Sequence, residues 1–246
     1  FITELEKVQN AGGVLLNRPT RWGKTLLQGT LMVYYDEHTT QREYEELFRG
    51  LHIYNHTTEG RGKYQVLSLN FANAVGSTPD AREKTLWEHI NQECAFFAKK
   101  YRYEKELVIS EDAMITLERL ASAVKARRDS WGWRRGWRRK RPWRTRPPEL
   151  YIFIDEYDSY IYSVLYSVLK RLSALQEPTD KAREDLDSGV PVVTALNQLK
   201  SLEAADLVSR FMIIGLARIK WADATKANNI DLLSAHTSFG DACGLG

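Results

Sequence analysis

Short runs, apolar or partly alternating and rich in β-formers, are interspersed along this chain with longer stretches whose apolar residues recur at helical spacing. "GVLLN" (Gly13–Asn17), "YQVLSLNF" (Tyr64–Phe71), the run "YIFI" that opens "YIFIDEYD" (Tyr151–Asp158), and "RFMII" ahead of Gly215 each have the length and β-former content of a buried strand. Between them, Leu26, Leu27, Leu31 and Tyr34 fall near helical spacing, so a helix is expected to open around Lys24. "REYEELFRG" reads as a brief amphipathic helix closed by Gly50. Thr78-Pro79-Asp80 is a helix start with a hydroxyl N-cap, a proline at the first helical position and an early acid. That helix is expected to reach towards Tyr101, burying Leu86, Ile90 and Phe97. Further helices are expected over roughly Glu111–Lys125, through "YIYSVLYSVLKRLSAL", and around Val193–Ala204, with Glu177–Gly189 as a loop. Strands alternating with helices predict an α/β fold: a doubly wound, mostly parallel sheet with helices on both faces.

Composition agrees with one globular unit. At 246 residues, 43% hydrophobic and 27% charged, the chain can bury a full core as a single domain over 1–246. The ends at Phe1 and Gly246 have no recognisable terminus, and a fragment of a longer protein is expected. No apolar run reaches the ~18 residues of a membrane helix, so no membrane partner is expected. Two cysteines, Cys94 and Cys243, make neither a metal spacing nor a disulfide framework, which suits a reducing, intracellular compartment, cytoplasmic or nuclear.

The net charge of +3 changes this picture once its distribution is considered. Lys125–Arg146 holds eleven Lys/Arg and one acid, Asp129; without it 24 of the 35 basic residues face 31 of the 32 acidic ones, a net of −7. A mildly acidic body therefore carries one intensely basic insert, placed at 127–148. Within it, "WGWRRGWRRKRPWRTRPP" (Trp131–Pro148) holds four of the seven tryptophans. Interleaved cations and aromatics suit single-stranded nucleic acid, through phosphate attraction and base stacking. The same composition also suits a solvated low-complexity loop.

The candidate chemistry begins at "NRPTRWGKT" (Asn17–Thr25). Gly23-Lys24-Thr25 supplies the second half of a phosphate-binding loop, G-x-x-x-x-G-K-[ST], but Arg18 stands where the first glycine belongs. A strand, a turn and a helix N-terminus are the context such a loop needs, because backbone N–H groups and the helix dipole favour an anion there. In that reading Arg18, Pro19, Thr20, Arg21, Trp22 and Gly23 wrap the phosphates of ATP, Lys24 reaches the β- and γ-phosphates, and the Thr25 hydroxyl ligates Mg²⁺. "YIFIDEYD" complements it: Asp155 is the candidate second holder of Mg²⁺, and Glu156 the candidate general base that orients the attacking water.

These motifs together resemble the predicted AAA-ATPase-like family. "LLNRPTRWGKTLLQGTLMVYY" is similar to that family's opening, in which T-R-P-R-R-F-G-K-T itself has arginine in place of the first glycine. "ELFRGLHI" (Glu46–Ile53), "YIFIDEYDSYI", "FMIIGLARIKWA" and "NNIDLL…FGDACGLG" resemble its later segments, so the similarity spans nearly the whole chain outside the basic insert. The resemblance implies an ATPase domain using ATP and Mg²⁺, with Arg218 as a further candidate for the γ-phosphate. It also implies a PD-(D/E)XK nuclease-like domain as a C-terminal partner module. Thr20, Trp22, Ser159-Tyr160 and Ile214 depart from the family pattern. Ile214 replaces a threonine at a strand end that in related ATPases senses the γ-phosphate, which makes hydrolysis less secure than binding. Two alternatives therefore stand beside the ATPase: a nucleotide-dependent switch with little turnover, and a nucleic-acid-binding protein that works through its basic insert.

Overall fold

A computed structural model of the chain describes residues 1–8, 13–19, 21–74, 76, 78–130, 147, 149–160, 162, 190–216 and 230–232. Its elements run α1 (Ile2–Val8), β1 (Gly13–Asn17), α2 (Lys24–Tyr35), α3 (Gln41–Phe48), α4 (His52–Asn55), β2 (Tyr64–Asn70), α5 (Pro79–Tyr101), α6 (Ala113–Asp129), β3 (Glu149–Asp155), α7 (Val190–Ala204), β4 (Arg210–Gly215) and β5 (Ile230–Leu232). The strands form one sheet in the order β2-β3-β4-β1-β5, and every described pairing is parallel. Parallel neighbours need crossovers, so the sheet is covered on both sides. Val14, Leu16, Val66, Phe153, Met212 and Ile214 pack under α2 and α3 through Leu31, Tyr34, Tyr35 and Phe48. Alternate residues Leu15, Leu67, Ile152, Ile154 and Ile213 pack against α5, α6 and α7 through Leu86, Ile90, Leu120 and Leu199. Burial on both faces is why β3 and β4 read as continuous apolar runs rather than alternating ones.

Local chemistry sets the helix ends. The Thr78 side chain accepts from the Ala81 N–H with Pro79 in the first turn, and α5 runs to Tyr101 as its start signal predicts. Thr40 and Glu43 form a reciprocal capping box at α3. The helix expected over Glu111–Lys125 is displaced: the Asp112 carboxylate caps the Met114 N–H, so α6 begins at Ala113 and continues to Asp129. Its last turn is held by two arginines assigned above to the insert. Arg127 donates to the Tyr101 and Arg102 carbonyls and lies over the Tyr103 ring, while Arg128 pairs with Asp206. The expected strand to Phe71 stops at Asn70, whose side chain caps a short 3₁₀ turn over Phe71–Asn73. The helix expected through "YIYSVLYSVLKRLSAL" opens earlier, with helical residues at 157–160 and 162; the rest of it, the Glu177–Gly189 loop and residues 131–146 of the basic insert lie outside the described residues. The last expected helix starts three residues early, at Val190.

Candidate functional site at the carboxyl edge of the sheet

Register brings four strand ends to one edge. Asn70 pairs with Asp155, and Asn17 pairs with Gly215. After β1 the chain keeps one further sheet-like bond, from the Arg18 N–H to the Gly215 carbonyl at 3.0 Å. It then turns through two left-handed residues, Arg21 (φ 65°) and Gly23 (φ 69°), into α2. Gly23 is the helix N-cap. A Cβ there would meet nothing within 4 Å, so glycine is required by backbone conformation and not by space. With no side-chain cap and no acid in its own first turn, α2 leaves its opening N–H groups without an acceptor from the helix itself, at the positive end of the helix dipole.

Lys24 folds back over the loop and donates from Nζ to the Arg18 carbonyl at 2.9 Å and the Pro19 carbonyl at 2.8 Å. Thr25 reaches across to the acid strand: its hydroxyl donates to Asp155 Oδ2 at 3.1 Å, joining residues 130 positions apart. Asp155 is 4% exposed. Burial pushes its pKa up, the Thr25 hydroxyl and the Glu156 N–H pull it back, and the neighbouring Glu156 charge and the Lys24 ammonium act in opposite directions. Glu156 follows in the left-handed region (φ 51°), its N–H on Asp155 Oδ1 at 2.9 Å and its Oε2 accepting from the Ser159 hydroxyl at 3.0 Å.

Of the residues singled out from the sequence, Arg18, Pro19, Arg21, Trp22, Gly23, Lys24, Thr25, Asp155 and Glu156 lie on this one edge; Thr20 and Arg218 lie outside the described residues. Trp22 is half-buried and Arg21 exposed. Ile214 is fully buried among Leu16, Met212 and Tyr34, a core position beneath the edge. Two residues that carry no role in the sequence reading, Tyr157 and Asp158, complete the edge. The Tyr157 hydroxyl donates to Asn17 Oδ1 at 3.3 Å, and Asp158, 1% exposed, accepts the Leu216 N–H on Oδ2 at 2.7 Å. Their only signal was that "YIFID" continues as "EYD" instead of breaking into loop residues.

The donor set suits a hard cation that keeps most of its water. Thr25 and Asp155 offer oxygen; among the described residues no group of three or more His, Cys, Asp or Glu side chains converges, here or elsewhere. No helix of the described residues is long and apolar enough to cross a membrane.

The fold and this edge define an α/β protein with a parallel sheet, an open helix N-terminus after its first strand, and an acid pair beside it. The chain belongs to the family described as Predicted AAA-ATPase, whose model matches residues 1–223. No curated protein and no solved structure matches it.

Proposed function

We propose that this chain is a doubly wound P-loop-type domain that binds ATP with Mg²⁺ and hydrolyses it to ADP and phosphate. The observation that carries the reading is the hydrogen bond between Thr25 and Asp155. Those are the two side chains expected to hold a nucleotide-bound metal, they come from motifs far apart in sequence, and they share one atom-to-atom contact. Strand order supports the doubly wound topology. From β1 the chain crosses to the far edge at β2, returns through β3 and β4, and places β5 beyond β1. The carboxyl end of β1 therefore lies at a reversal of strand order, where open α/β sheets bind ligands.

Residues of the chain divide the work. The α2 amides and Lys24 take the phosphate oxygens. The two carbonyls that Lys24 contacts are neutral acceptors, and an anionic oxygen is a stronger one. When bound, Mg²⁺ neutralises charge on the β- and γ-phosphates, held by Thr25 and Asp155. Glu156 accepts the proton of the attacking water; the water oxygen forms the new bond to the γ-phosphorus, and the β–γ bridging oxygen leaves with ADP. Ser159 keeps one carboxylate oxygen of Glu156 engaged and so limits its rotation.

Single-turnover hydrolysis tests the chemistry. Glu156→Gln is expected to slow turnover by about 100-fold or more while leaving nucleotide affinity near that of the wild type. Equal and negligible rates for the two proteins leave nucleotide binding without turnover, the reading that the apolar Ile214 favours.

A further inference from the structure

The loop entrance lacks the first glycine of the usual phosphate-binding pattern, and the residues just past the acid strand fill the space behind it. The Gly215 carbonyl accepts the Arg18 N–H at 3.0 Å, and the Leu216 N–H donates to Asp158 Oδ2 at 2.7 Å. That carbonyl and that N–H belong to one peptide group. A single peptide plane therefore joins the first residue of the loop to a buried carboxylate, and polarisation of the plane strengthens both bonds together. A second tie runs in parallel, from the Tyr157 hydroxyl to Asn17 at 3.3 Å. The packing between them is close: a Cβ on Gly215 would come within 2.4 Å of the Tyr157 ring and 2.8 Å of Asp158 Oδ1.

We propose that Asp158 is a positioning residue for the phosphate loop, fixing the chain at Arg18 through the Gly215–Leu216 peptide. The proposal rests on the nucleotide-binding reading for its effect on affinity. In an ordinary loop the first glycine turns the chain off the strand. Here Arg18 continues the ladder for one more bond, and residues 157–158 hold it there from below. The acid strand thus sets both sides of the site: Asp155 and Glu156 face the ligand, and Tyr157 and Asp158 brace the loop.

The test compares Asp158→Ala, Asp158→Asn and Tyr101→Phe with the wild type. Tyr101 lies at the opposite edge of the sheet, and its variant controls for loss of global stability. Amide hydrogen exchange at Arg18 and Leu216 is expected to accelerate at least about tenfold in Asp158→Ala, beyond any change in Tyr101→Phe. ATP-Mg²⁺ affinity is expected to fall by about tenfold in Asp158→Ala, to recover in Asp158→Asn, which keeps an acceptor oxygen, and to stay unchanged in Tyr101→Phe. If Asp158→Ala does not fold, Tyr157→Phe removes the parallel tie to Asn17 and is expected to speed Arg18 exchange severalfold. Exchange at Arg18 no faster than in Tyr101→Phe overturns the proposal, as does faster exchange with unaltered affinity. A wild type that binds no nucleotide sinks the functional reading instead, and the exchange result still decides whether Asp158 holds the loop.

Discussion

Asp155, the candidate metal-holding acid, costs the resting fold in a way that can be measured. Its carboxylate is almost fully buried, and burial raises its pKa against the help of Thr25 and the Glu156 N–H. A carboxyl whose pKa is raised by folding stabilises the folded state while protonated, and that stability is lost as pH rises from about 4 through the raised value. Without nucleotide, Asp155→Asn is therefore expected to be more stable than the wild type at pH 7, with the gap closing towards pH 4. Denaturant midpoints of both proteins at the two pH values check this; an asparagine variant less stable at pH 7 contradicts it. Asp155 and Glu156 stood out as candidates in the sequence only because the acid-ended strand accompanies Gly23-Lys24-Thr25; an apolar strand ending in two acids is by itself more often structural. Asp158 did not: its partner is the backbone N–H of Leu216, just past β4, and no side-chain motif announces a backbone donor.

Among the strands and helices, legibility followed how much of the signal is local. Thr78-Pro79 fixed the start of α5 because the cap acts within one turn. The end of α6 was missed because it depends on acceptors elsewhere in the fold: carbonyls at the end of α5 and the Asp206 carboxylate. Strand β5 is three residues long and becomes a strand through pairing with β1, so periodicity cannot reveal it. The amino-terminal edge has its own polar cluster. The Tyr101 hydroxyl donates to Asp36 Oδ1 at 2.9 Å and accepts the Val66 N–H at 2.9 Å, with Lys100 also on Asp36. Tyr101→Phe leaves a buried N–H without its acceptor and is expected to cost about 1–3 kcal/mol, measured by urea unfolding. A loss well under 1 kcal/mol would contradict the role given to this hydroxyl.

Across the protein, the two edges of the sheet separate these duties. Ser130 after α6 and Glu149 at the start of β3, which flank the stretch Trp131–Pro148 of the basic insert, belong to the amino-terminal side of the strands, while the loop and the acids occupy the carboxyl side. The insert can therefore vary in composition without altering the strand ends that build the site. Everything proposed for catalysis needs Lys24 to meet phosphate at that carboxyl edge. The most direct test is calorimetric binding of ATP with Mg²⁺ to the purified chain and to Lys24→Ala. Saturable binding by the wild type, weakened at least about 30-fold by the substitution, is the result predicted; equal affinity of the two proteins, or no binding by the wild type, contradicts it.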